Sequence, residues 1–115
     1  SDATGVRHAF ASGPSLGAGR AIVVYGGSSG IPSGLTNAVA ATSGALSLNN
    51  SSDAATLQDG GGAIQDSFAY GSSLAGTDGV SMNRSPDGTT GAFVLHTALS
   101  SQPRSGGKRV NGSDW

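Results

Sequence analysis

The chain has 115 residues, a formal net charge of −1 and no cysteine, and only 11% of its residues are charged. That length allows one domain at most. The charge gives no global field to draw in nucleic acid or an anionic membrane, and disulfides and thiolate metal sites are excluded.

Apolar residues come in short runs separated by Gly, Ser, Asn, Asp and Pro, the pattern of strands and turns. Residues 6–10 read as a short strand, and 16–19 as a turn. Residues 20–25, Arg-Ala-Ile-Val-Val-Tyr, are the strongest strand, with a near-continuous β-branched run suited to burial on both faces. Residues 28–43 are broken by Gly and Pro, and within them 35–41 read as a helical turn or two. A strand at 45–48 precedes an Asn-Asn-Ser-Ser turn. Strands at 54–58 and 63–70 flank Asp59-Gly-Gly-Gly62, a hairpin turn because Asp and Gly tolerate positive φ. Strands at 80–84 and 92–96 are joined by the turn sequence at 85–88. From 101 to 115 the chain is polar and Gly-rich and reads as a tail. Six or seven short strands without a cysteine framework point to an all-β sandwich of residues 1–100.

One ordered set of residues resembles a known family. It comprises Leu46-Ser-Leu48 to Asp53, Ala55-Thr-Leu57-Gln-Asp59-Gly60, Ile64-Gln-Asp66-Ser-Phe68-Ala-Tyr70-Gly71, Gly79-Val-Ser81-Met-Asn-Arg84-Ser-Pro86-Asp87-Gly88 and Phe93-Val-Leu-His96-Thr97. This order is similar to the lamin-tail domain, an immunoglobulin-like β-sandwich of nuclear lamins and of many bacterial secreted or surface proteins. Residues 1–10, Leu16-Gly-Ala-Gly19 and Ala21-Ile-Val-Val24 extend the likeness toward the start. The family's first two strands and its Gly-Trp segment have no counterpart, so the chain is expected to begin inside the domain. The expectation is then either a cut-down sheet that is weakly stable alone, or a dimer in which a second copy or a lost segment fills the gap at the exposed strand edges. The resemblance implies a non-catalytic binding or accessory module of a secreted or cell-surface bacterial protein. Its expected partner is a protein or a polysaccharide, and it often accompanies a hydrolase or nuclease. No cofactor or metal is implied. No apolar run approaches the roughly 20 residues that span a bilayer. Residues 1–5 do not form a signal peptide, so any export signal lies outside this chain.

The period of two puts Ile64, Asp66, Phe68 and Tyr70 on one face. Asp66 is therefore expected to point inward and to need a partner, for which Arg84 is the candidate. Its removal is expected to cost roughly 3–5 kcal/mol. Tyr70 and His96 complete the residues expected to be structural; the resemblance places His96 at a strand end, which implies a hydrogen-bonded role there.

Two alternatives compete. Gly26-Gly-Ser28-Ser-Gly30 fits the G-x-S-x-G nucleophile elbow, and Asp66 or Asp87 followed by His96 completes the hydrolase order. That elbow needs a helix directly after the serine, and Ile31-Pro-Ser-Gly34 starts one badly, so no enzyme activity is expected. Arg104, Lys108 and Arg109 could contact phosphate. Three cations without interleaved aromatics are a weak footprint, and a solvated linker explains them better. Gly17-Ala-Gly19 lacks the third glycine of a dinucleotide fingerprint. The seven aspartates, with no glutamate, mostly sit beside Gly or Ser as turn residues. Four Asn-x-Ser matches, at Asn49, Asn50, Asn83 and Asn111, are cheap in so Ser-rich a chain.

Overall fold

Residues 5–12 and 15–115 are described by the computed structural model. The start of the family-like stretch, with Asp2, lies outside them. Within the described residues the class is all-β. The strands are β1 (Val23–Tyr25), β2 (Ala38–Ala40), β3 (Asp53–Gln58), β4 (Ile64–Tyr70), β5 (Met82–Arg84) and β6 (Phe93–Leu95). One four-residue helix, α1 (Ser72–Ala75), and two 3-10 turns, at Ser28–Gly30 and His96–Ala98, interrupt them. No helix among the described residues is long and apolar enough to cross a membrane.

The strands associate in three pairs. β1 runs parallel to β2, while β3–β4 and β5–β6 are antiparallel hairpins. The expected helical turn at 35–41 is therefore a correction. Ala38, Val39 and Ala40 register against Val23, Val24 and Tyr25, and the ladder overrides the helical leaning of an alanine-rich run. No strand forms at 45–48. The segment 6–10 is held instead by lateral bonds. The amide and hydroxyl of Ser43 both donate to the Arg7 carbonyl, at 3.1 and 2.8 Å, and the Ala9 amide donates to Thr42 Oγ1 at 3.0 Å. β1 begins at Val23 rather than at Arg20, whose amide closes a turn on Gly17. It is half-buried rather than covered on both faces, because its pair is only two strands wide.

The β3–β4 hairpin forms where the sequence puts it. The Asp59 amide bonds the Ala63 carbonyl and the Gly62 amide bonds the Asp59 carbonyl, both at 3.0 Å. Gly62 sits at φ 86°, which a residue with a side chain adopts only with strain. The register slips between Leu57 and Gln58, a bulge that twists the hairpin tip.

The segment 101–115, expected as a free polar tail, is docked. The Ser81 amide bonds the Pro103 carbonyl. Arg104 donates to the Gly79 carbonyl at 3.1 Å. Asn37 Nδ2 bridges the carbonyls of Ala21 and Gly107. The Val110 amide bonds the Asp87 carboxylate. The segment's polar, Gly-rich composition suits this role, since most of these bonds use backbone groups.

The core is small. Among the described residues Ala41 and Tyr70 are the buried apolar side chains, joined by the fully enclosed His96. Val6, Phe10, Leu48, Leu57 and Ile64 are each more than two-fifths exposed.

Candidate binding cleft

Strand alternation gives the β3–β4 hairpin two unlike faces. Asp53, Ala55 and Leu57 register against Tyr70, Phe68 and Asp66 on one face. Ala54 and Thr56 register against Ala69 and Ser67 on the other, which is small and polar. The first face looks into an open cleft of about 760 Å³. Phe68, Phe93, Met82, Phe10, Leu46 and Leu48 are among the residues that line it. The lining is predominantly apolar, the usual character of a binding site.

The polar groups at the cleft are mostly engaged within the chain. Asp59 Oδ1 accepts from the amides of Ala63 and Gly61, each at 2.9 Å, and Oδ2 accepts from Gln65 at 2.8 Å. These donors, the Ala63 amide foremost, hold the Asp59 carboxyl below the usual carboxylate range. His8 packs edge-on against Phe10, with ring centroids 4.4 Å apart. Its Nδ1 is buried without a hydrogen-bond partner.

Asp66 pairs with Arg84 as the sequence suggested. Arg84 Nη2 lies 3.3 and 3.4 Å from the two carboxylate oxygens. Its burial is a correction: the Asp66 side chain is 62% exposed. The hairpin's apolar face lacks a second layer over that end, so the phase of the strand does not become enclosure. An exposed pair of this kind contributes about 0.2–1 kcal/mol, not the larger cost of a buried one. Arg84 does more than pair. Its Nη1 donates to the Gly91 carbonyl at 3.1 Å, and its guanidinium carbon lies 4.5 Å from the centroid of Phe93.

Tyr70 is buried, and its hydroxyl donates to the Asn49 carbonyl at 2.8 Å. Burial pushes its phenol above the usual tyrosine range, and the Asp53 carboxylate adds to the shift. His96 follows β6 and opens a 3-10 turn. Its Nδ1 lies 2.7 Å from the Gln102 carbonyl. That oxygen can only accept, so Nδ1 carries the proton. Nε2 is enclosed without a partner.

The candidate hydrolase residues have separate engagements. Ser28 is exposed in its 3-10 turn, and the backbone is extended again at Ile31. Asp87 accepts from Val110, Asp66 faces Arg84, and His96 is sealed from solvent. The three tail cations are also engaged. Lys108 Nζ lies 3.3 Å from Asp114, and the Arg109 guanidinium sits 4.5 Å from the Trp115 ring centroid. Arg104 holds Gly79. Among the described residues, no group of three or more His, Asp or Glu could hold a metal ion.

Sequence reasoning missed the cleft, because it brings strand residues together with Phe10, Leu46 and Leu48 from segments of irregular backbone. The one usable signal was the Leu46-x-Leu48 alternation together with Phe10, apolar residues outside any strand. Comparison with protein-family models, curated proteins and solved structures gave no match in any of the three.

Proposed function

We propose that the chain is a non-catalytic binding module of a secreted or cell-surface bacterial protein, acting through the apolar cleft. The lamin-tail likeness, with its immunoglobulin-like sandwich, is part of this reading. So is a role beside a neighbouring hydrolase or nuclease. The observation that carries it is the cleft itself, where Leu57, Phe10 and Leu48 remain about half exposed. Contiguous apolar surface of this kind marks interaction sites. Its walls favour a protein partner over a polysaccharide, since the carboxylates at its edge are already bonded within the chain. A serine hydrolase is disfavoured by the enclosure of His96, and binding to nucleic acid by the engaged tail cations.

Titration with an apolar fluorescent dye tests this reading. Saturable binding that Leu57→Asp weakens at least several-fold is the expected result. Absence of dye binding, or ester turnover abolished by Ser28→Ala, would overturn it.

A further inference from the structure

We propose that Asp53 and Asp66 are edge guards. Each occupies an outward-facing backbone amide of the β3–β4 hairpin, and so keeps the hairpin from adding a further strand.

Every described strand lies in a two-stranded sheet, so each has one edge without a ladder. β1, β2, β5 and β6 are three residues long, and such short edges template another chain poorly. β3 and β4 have six and seven residues. Neither contains Pro or Lys, the usual blunting residues of an exposed edge. Each contains a single charged residue, Asp53 in β3 and Asp66 in β4. Among the described residues, no backbone bond from another segment reaches residues 64–69, so no ladder covers the outer edge of β4.

The register fixes the direction of the amides. The Asp59 amide bonds the Ala63 carbonyl across the turn. Direction alternates along a strand, so Leu57, Ala55 and Asp53 turn their amides toward β4, while Thr56 and Ala54 turn theirs away. Ser67 and Ala69 stand opposite Thr56 and Ala54, and opposed residues of an antiparallel pair both face inward or both face outward. The Ala54 and Ser67 amides therefore belong to the two outer edges, one on each strand. Both are taken. Asp66 Oδ1 accepts from the Ser67 amide at 2.9 Å, and Asp53 Oδ1 accepts from the Ala54 amide at 2.8 Å. A strand adding at either edge would need that amide for its own ladder. Further bonds steady both carboxylates: Arg84 reaches Asp66, and Asn49 donates twice to Asp53 at 3.2 Å.

Variants of the whole chain test the guard with two readouts. Amide hydrogen exchange reads the bond: Asp66→Ala should speed exchange at Ser67 roughly tenfold, as one charge-assisted bond is lost. Asp53→Ala, an independent variant on the other strand, should do the same at Ala54. Thioflavin fluorescence and sedimentation during prolonged incubation read the edge. Asp66→Ala should form β-rich assemblies several-fold faster than the unaltered chain. Asp66→Asn keeps an oxygen for the Ser67 amide and should behave as the unaltered chain does. Asp78→Ala removes the same charge from an exposed turn outside the hairpin, and it too should leave assembly unchanged. Unaltered exchange at both Ser67 and Ala54 overturns the proposal, as does equal assembly by Asp66→Ala and the unaltered chain. Assembly of Asp66→Asn or Asp78→Ala at the rate of Asp66→Ala also overturns it, because lost charge rather than a freed amide would then be the cause.

Discussion

Phe68 of β4 stacks on Phe93 of β6, with ring centroids 3.7 Å apart and planes inclined by 22°. The two hairpins share no backbone ladder, so this stack joins them through side chains. Arg84 extends it, lying against Phe93 while reaching Asp66 on β4. Tyr70 continues the row on the other side, 6.4 Å from Phe68.

Truncating the stack should therefore uncouple the hairpins. Phe93→Ala is expected to cost about 2–3 kcal/mol, less than for a fully buried ring because Phe93 is half-buried. Phe93→Leu should lose about half as much. Urea denaturation would measure both. A Phe93→Leu loss near zero would show that the ring contact contributes nothing beyond volume.

Asp66→Ala should lower stability by no more than about 1 kcal/mol, because the carboxylate is largely in water. The effect should shrink further in high salt. A loss of several kcal/mol, unchanged by salt, would mean that the pair is enclosed after all.

Tyr70→Phe removes the bond to Asn49 and should cost about 1 kcal/mol. The phenol's pKa is raised in the folded chain, first by burial and then by Asp53. Its contribution is complete below the ordinary tyrosine range and is lost as pH rises through the raised folded value. Ultraviolet titration should show a late phenolate signal that vanishes in the variant. If the late signal persists in Tyr70→Phe, the assignment is wrong.

Asp59 titrates the opposite way. Its folded pKa lies below the ordinary carboxylate value, so its stabilisation is present above that value and fades as pH falls through the lower folded one. Asp59→Asn should flatten the acid limb of the stability profile and loosen the hairpin turn. Carboxyl carbon shifts followed by NMR would read the titration directly. An Asp59 midpoint at or above the ordinary value contradicts this account.

Gly107 has φ 84°, and an added Cβ would meet Val23 at 3.1 Å and Leu35 at 3.3 Å. Gly107→Ala is thus expected to cost at least about 1–2 kcal/mol and to free residues 101–115 for proteolysis. An unaltered cleavage pattern would show that the segment does not rest there.

The two hairpins were legible because alternation and turn chemistry agree. Asp59-Gly-Gly-Gly62 and the turn at 85–88 sit between apolar runs of the right length. That Asp66 needs a partner was legible from its phase, and Arg84 was suggested as that partner by the family-like Ser81-x-x-Arg84 segment. The exposure of the pair was not legible, since phase gives a direction but says nothing of what lies beyond the side chain. β2 was hidden because Ala-Val-Ala has no alternation, and its parallel partner lies beyond a long loop. The docking of residues 101–115 was hidden because backbone carbonyls and glycine make most of its contacts. Only Trp115, a lone large aromatic in a polar run, hinted at it.

That docked segment sets a schedule for the ribosome. β1 and β2 emerge early, but Asn37 finds Gly107 seventy residues later, and Arg20 meets the Trp115 carbonyl after ninety-five. At about 5–20 residues per second, the first pair waits roughly 4–14 s for its fastening to be made. Until then its half-covered strands are open to whatever apolar segment is nearby, so the most vulnerable moment of this chain falls during its own synthesis.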